Sequence, residues 1–316
     1  MNEIVTTRTN PMIDPAMHIW GWEIPVYLFL GGLVAGMMMI SGYFLFRGRQ
    51  KEMATSCLTL PLLSVALLSL GMFALFLDLA HRWYFWRMYM TFQPTSPMSW
   101  GSWILLLVYP AQLANALIRP PAWLTARIPA LIALSERIGS RSAAVKFIGI
   151  ANMLLGAMLG VYTGILLSAF GARPLWNSSI LGLLFLTSGL SSAAAFVHLV
   201  ARDEFEQKLL AKADNAFLTA EIVIIGMFLI GLLSSTAVHI EAAQLLLSGP
   251  YAPVFWVFVI GLGIIIPLII QSLAVNHKVA HTPVAPVLVV LGGLILRFVI
   301  VQAGQVSHWT RLFPSH

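Results

Sequence analysis

Several groups able to hold a ligand's oxygens or move its protons stand near the ends of long apolar runs. Glu23 and Tyr27 open the first run, and Asp78 and His81 close the second. Tyr162 lies late in the fourth, and Arg297, Gln302 and Gln305 lie late in the last. A phenol both donates to and accepts from oxygen, whereas a carboxylate or imidazole exchanges protons. Two further groups, His198 and Glu221, fall at the opposite ends of their runs. Ionisable side chains within apolar spans are costly and mark sites. Each alone also has a plainer reading. A Tyr or Gln near a span end anchors at an interface, Asp78 and Arg297 form a structural ion pair, and Glu221 pairs with Lys208 or Lys212. Convergence of several runs on one layer favours a site over these alternatives.

The elements that must carry these groups follow from composition. Of 316 residues, 59% are hydrophobic and only 9% charged, against about 25% charged in a soluble domain. Such a chain cannot clothe a water-soluble surface, so a soluble enzyme is excluded. The net charge of +6 belongs to loops that set topology and does not point to nucleic acid. Eight apolar runs, at 24–46, 58–78, 100–118, 145–169, 179–200, 217–238, 253–274 and 284–305, are each long enough to cross a bilayer as a helix. They lack the alternation of barrel strands. The expected fold is therefore all-α: one polytopic membrane domain over 1–316, with about eight transmembrane helices and membrane lipid as its solvent.

Basic residues are unequally shared between the two sides. Arg47, Arg49, Lys51, Arg119, Arg127, Arg137, Arg141, Lys146, Arg202, Lys208, Lys212 and Lys278 fall on one side; Arg8, Arg82, Arg87, Arg173 and Arg311 fall on the other. Positive charge favours the cytoplasm, which puts both termini in the periplasm of a bacterial inner membrane. All tryptophans but Trp123 then lie on the outer side. That bias predicts an interface there for headgroups or a docked protein.

The single cysteine, Cys57, rules out a disulfide and any iron–sulfur cluster or Cys-based zinc site held by this chain alone. A membrane haem b usually needs facing histidines at matched depth. Of His18, His81, His198, His239, His277, His281, His308 and His316, only His198 lies clearly within a run, so no haem and no metal is expected. Gly31-Gly32, Ala35-Gly36 and the Gly156, Gly160, Gly164 repeat predict close helix contacts, and Pro267 predicts a kink.

Ordered patterns along the sequence carry a family resemblance. The first run reads WGWEIPVYLFLGGLVAG, and the second ends LDLAHRWYFWRM before SPMSWGSWILLLV. LGVYTGILLS and RPLWNSSILGLLFLTSGLSSAAA follow, and the last run ends LRFVIVQAGQ. Together these resemble the polysulfide reductase membrane subunit family, also called NrfD-like, over nearly the whole length. Where many relatives read D-L-x-R-P, this sequence has Asp78-Leu79-Ala80-His81-Arg82-Trp83.

The resemblance implies a haem-free membrane subunit of a respiratory oxidoreductase that exchanges electrons with menaquinone or ubiquinone, in the direction of quinol oxidation. Its partners would be a periplasmic four-cluster iron–sulfur subunit and a molybdopterin catalytic subunit, of the kind found in polysulfide or thiosulfate reductases. Terminal substrate chemistry would then occur on another polypeptide. In that frame Asp78, Glu23 and His81 exchange protons, and Tyr162, Tyr27, Gln305 and Arg297 hold the quinone. Glu221 with His198 forms a proton relay. The alternatives are a secondary transporter or proton-conducting module, and a haem-b anchor subunit. A transporter site is expected near the midplane between repeats, and the histidine positions oppose the haem anchor.

Overall fold

A computed structural model describes residues 20–49, 52–53, 55–201, 203–275 and 282–309. Arg8, His18, Lys51, Arg202, His277, Lys278, His281, Arg311 and His316 lie outside the described residues. Eight helices are long and apolar enough to cross a membrane: α1 Glu23–Phe46, α2 Thr55–Asp78, α3 Pro97–Ile118, α4 Ser142–Ser168, α5 Ile180–Val200, α6 Glu204–Leu233, α7 Val254–Val275 and α8 Val284–Val306. No strand occurs among the described residues. The protein is an all-α polytopic membrane protein, as its composition requires.

The helices form two groups of four. In the first, α1 packs on α2 and α4, and α3 bridges α2 and α4; in the second, α5, α6, α7 and α8 close a similar ring. Contacts of α1 with α5 and α8, and of α4 with α5, join the groups. Helix α1 is the most enclosed span. The small-residue faces read from the sequence serve this junction and the α1–α4 contact within the first group. A Cβ on Gly36 would lie 2.6 Å from that of Ala193, and one on Gly156 would lie 2.8 Å from the Ala35 carbonyl oxygen. Backbones thus touch where apolar attraction between helices is weak in lipid.

Ends differ from the expected ones where polar residues continue a helix. The sixth span, expected at 217–238, begins thirteen residues earlier. Asp203 caps it by accepting from the Glu206 backbone N–H. It ends at Leu233, and Ala237–Leu247 forms a separate short helix. Helix α3 starts at Pro97, which suits a first helical turn. Helix α1 stops before Gly48, whose φ of 71° sets up paired bonds from Gly48 N–H to Leu45 O and Arg49 N–H to Phe44 O. Ahead of Pro267, where the sequence predicts a kink, α7 is π-helical over Val254–Ile265 and α-helical from Ile266.

Glu206 explains why α2 can begin inside the protein. Its buried carboxylate accepts from Thr55 N–H at 3.2 Å, Ser56 N–H at 2.8 Å and the Ser56 hydroxyl at 2.5 Å. The two N–H groups are donors that a helix N-terminus otherwise leaves unmet. Cys57, buried beside them, is a free thiol. Glu206→Ala should strand three donors and destabilise the protein by about 2–4 kcal/mol. A lowered thermal midpoint of the purified protein would register this, and an unchanged midpoint would contradict the assignment.

Candidate functional site

At one end of the first helix group the spans part around a cavity of about 350 Å³, within the range of small-molecule sites. Its walls come from α1 (Ile24, Tyr27), α2 (Met72, Phe76, Asp78), α3 (Ser102, Leu105) and α4 (Tyr162, Leu166). The connection after α2 roofs it with Phe85, Met88 and Tyr89. The lining is mostly apolar. Phe73 and Met98, which also line it, are 58% and 50% exposed. The cavity therefore opens sideways between α2 and α3 toward the surface that faces lipid.

Three phenols supply most of its hydrogen-bonding capacity. Tyr27 and Tyr162 are nearly fully buried, and both lie within electrostatic reach of Tyr89. Burial, with the Tyr109 phenol nearby, pushes the Tyr89 phenol above its ordinary value. It stays protonated and able to donate at neutral pH. Gly101 sets the position of Tyr162, because a Cβ there would fall on the phenol ring and its hydroxyl. The Ser102 hydroxyl, one residue on, donates to the Ser99 and Met88 carbonyls at 2.8 and 3.1 Å, tying the roof to α3.

The residues expected to share this layer divide. Tyr27, Asp78 and Tyr162 line the cavity. Glu23 sits close enough to Asp78 to act on its charge but does not line the cavity. His81 faces a shallow recess beyond α2 with Asp78 and Arg82. Gln305 acts from a distance: its amide accepts from the Trp20 N–H and donates to the Trp20 carbonyl, both at 3.0 Å. Trp20 stacks on Trp176 with ring centroids 5.2 Å apart and forms a cavity wall. Gln305 thus holds a residue of the wall and does not itself line the cavity.

Arg297 belongs to another place. Fully buried in the second helix group, it donates to the Ser188 hydroxyl at 2.5 Å and to the Phe185 carbonyl at 2.8 Å. Its guanidinium lies 4.7 Å from the Phe185 ring centroid. Asp78 is not its partner; the carboxylate within its reach is Glu221, which also interacts with Ser188. Seven residues earlier on α6, Asp214 accepts from the Ser191 hydroxyl and the Gln271 amide, both at 2.7 Å. Asp214, Glu221 and Arg297 are all buried. With Ser188 and Ser191 they form a polar column on α5, α6 and α8, and Lys208 is engaged elsewhere, with Glu204. His198 lies ten residues beyond Ser188 on α5, about 15 Å along its axis.

Four residues of these sites escape a reading of the sequence alone: Asp214, Gln271, Tyr89 and Gly101. Asp214 falls in a polar stretch that resembles a loop, Gln271 is one amide in an apolar run, and Tyr89 stands between runs. The seven-residue spacing of Asp214 and Glu221, two helical turns, is the available signal. Among the described residues no three His, Cys, Asp or Glu side chains gather to hold a metal ion. His81 follows α2, whereas His239 sits in the short helix packed on α6, α7 and α8.

Comparison with known proteins agrees over almost the whole length. The family model described as "Polysulphide reductase, NrfD" matches residues 10–308. A polysulfide reductase polypeptide of Wolinella succinogenes is 31% identical over 310 residues, covering 91% of this protein and 94% of that one. The Protein NrfD homolog of Haemophilus influenzae is 29% identical, covering 92% and 95%. A selenate reductase polypeptide of Mesobacillus selenatarsenatis is 25% identical, covering 91% and 74%.

Proposed function

The chain belongs to the polysulphide reductase, NrfD family, and from that membership we propose that it is the quinol-oxidising membrane subunit of a respiratory oxidoreductase complex. The observation that carries this is the cavity with its lateral opening: apolar walls, phenols of Tyr27, Tyr89 and Tyr162, and the Asp78 carboxylate. A quinol has two oxygens, two transferable protons and an isoprenoid tail. The phenols suit the oxygens, Asp78 suits the protons, and the gap between α2 and α3 suits the tail. Oxidation releases two electrons and two protons. One cysteine cannot hold an iron–sulfur cluster, so the electrons pass to an adjoining iron–sulfur subunit and from there to a molybdopterin catalytic subunit. Relatives named as components of polysulfide and selenate reductases support such an assembly. The charge bias supports a cavity on the periplasmic side of a bacterial inner membrane, with both termini on that side.

Tyr162→Phe tests the reading directly. It removes one hydroxyl and little volume, so assembly should persist while quinol oxidation by the whole complex falls roughly two- to tenfold. Asp78→Asn should slow the same step by removing the proton acceptor at the cavity edge. Parent rates in both variants would place quinol chemistry elsewhere.

The buried column supports an additional role in proton movement. Asp214, Glu221 and Arg297, linked through Ser188 and Ser191, make a buried row of ionisable groups, and a proton route needs such a row. His198 would extend the relay toward the other face. Glu221→Gln keeps shape and removes the titrating proton. In sealed vesicles it should abolish proton movement coupled to turnover while quinol binding is retained. Parent proton movement would make Glu221 structural.

A further inference from the structure

Away from both sites, α1, α3 and α4 enclose a third polar group that neither role uses. Ser41, Gln112, Asn115 and Asn152 are all at most 1% exposed. They share one level of the bundle. The Asn115 amide donates to the Ser41 hydroxyl at 2.9 Å, and the Asn152 amide donates to the Ala111 and Ile148 carbonyls at 3.1 and 2.9 Å. Close passage of Gly42 by Gly149 holds α1 and α4 together at this height. Four polar atoms here have no protein partner among the described residues: both the oxygen and the nitrogen of Gln112, and the side-chain oxygens of Asn115 and Asn152.

A buried amide left unmatched costs as much as a lost hydrogen bond, and native proteins rarely carry several together. Three acceptors and one two-hydrogen donor match what water offers, since water donates twice and accepts twice. None of the four residues carries a charge, so nothing among them would compensate a bound cation, whose sites are built from carboxylates as well as neutral oxygens. We infer that Ser41, Gln112, Asn115 and Asn152 form a site for internal water in the half of the membrane opposite the cavity opening. Gln112 lies seven residues from Leu105, which lines the cavity, so this water stands about 10 Å below it along α3. Val108 and Leu159, both fully buried, form part of the apolar layer in between.

The test uses the purified full-length protein. Hydroxyl radicals made by brief X-ray exposure oxidise side chains next to water, including water held inside a protein, and mass spectrometry reads the sites. Met38 and Met37 are both 0% exposed. Met38 reaches the group through its backbone carbonyl, which accepts from Ser41 at 3.2 Å. Its side chain packs with Val108 and Leu159 in the apolar layer bordering the group, whereas Met37 packs in a different apolar cluster. Met38 should oxidise several-fold faster than Met37, and Gln112→Leu should bring it down to the Met37 rate. Equal rates in the parent, or fast Met38 oxidation that persists in Gln112→Leu, would overturn the site. A second variant reads the opposite sign. Gln112→Met should lower the thermal midpoint if it displaces bound water from paired groups. A raised midpoint would mean that the amide sat dry and unmatched, and would refute the inference.

Discussion

Gly101→Ala should reduce quinol oxidation by the assembled complex about 100-fold, far more than Tyr162→Phe. The reasoning is geometric. A methyl group at 101 would occupy the position of the Tyr162 ring and hydroxyl. A rigid aromatic ring cannot yield by bending its far end, so the whole phenol must rotate out or α3 must move from α4. Either outcome displaces the donor by more than about 1 Å, enough for such a loss, and reshapes the wall that includes Ser102. Tyr162→Phe loses one bond but keeps the wall. The ordering of the two variants is therefore the measurement, made as turnover per assembled complex with quinol as donor. If Gly101→Ala matches the parent, Tyr162 is not held where quinol chemistry occurs.

Arg297→Met should be the most destabilising single change in the second helix group, by about 3–5 kcal/mol, because it leaves a buried carboxylate uncompensated. Ser188 and the Phe185 carbonyl lose their donor, and Glu221 loses the positive charge within its reach. Adding Glu221→Gln to Arg297→Met should recover part of that loss, since neither charge then remains buried. Thermal midpoints of the two single variants and the double variant complete the cycle. Additive effects would show that Glu221 and Arg297 do not interact, and the column would lose its connection between α6 and α8.

The spans are legible in the sequence because length and hydropathy alone specify a membrane helix. The first half of α6 is not, since its residues 204–216 are polar and look like loop. They are helical because Asp203 caps them and because Glu206 and Asp214 point inward to partners on α2, α5 and α7. Those partners are distant in sequence and invisible to local pattern. Depth is equally legible: Tyr27, Asp78 and Tyr162 meet because their positions near span ends put them in one layer. Lateral position is not. Arg297 shares the last span with Gln305, yet it faces the second helix group, because nothing in a single span's sequence states which neighbour each face meets. Gly101 looks like one more small residue until the ring beside it is placed.

Cys57 gives the molecule a practical property. It is the protein's one cysteine, and it is 1% exposed among the first residues of α2. An aqueous thiol reagent meets no native target, so a cysteine introduced anywhere on the surface is chemically unique without removal of a natural residue. Spin labels or fluorophores placed on the 82–92 connection and on α3 would report whether the roof lifts from the cavity as substrate enters.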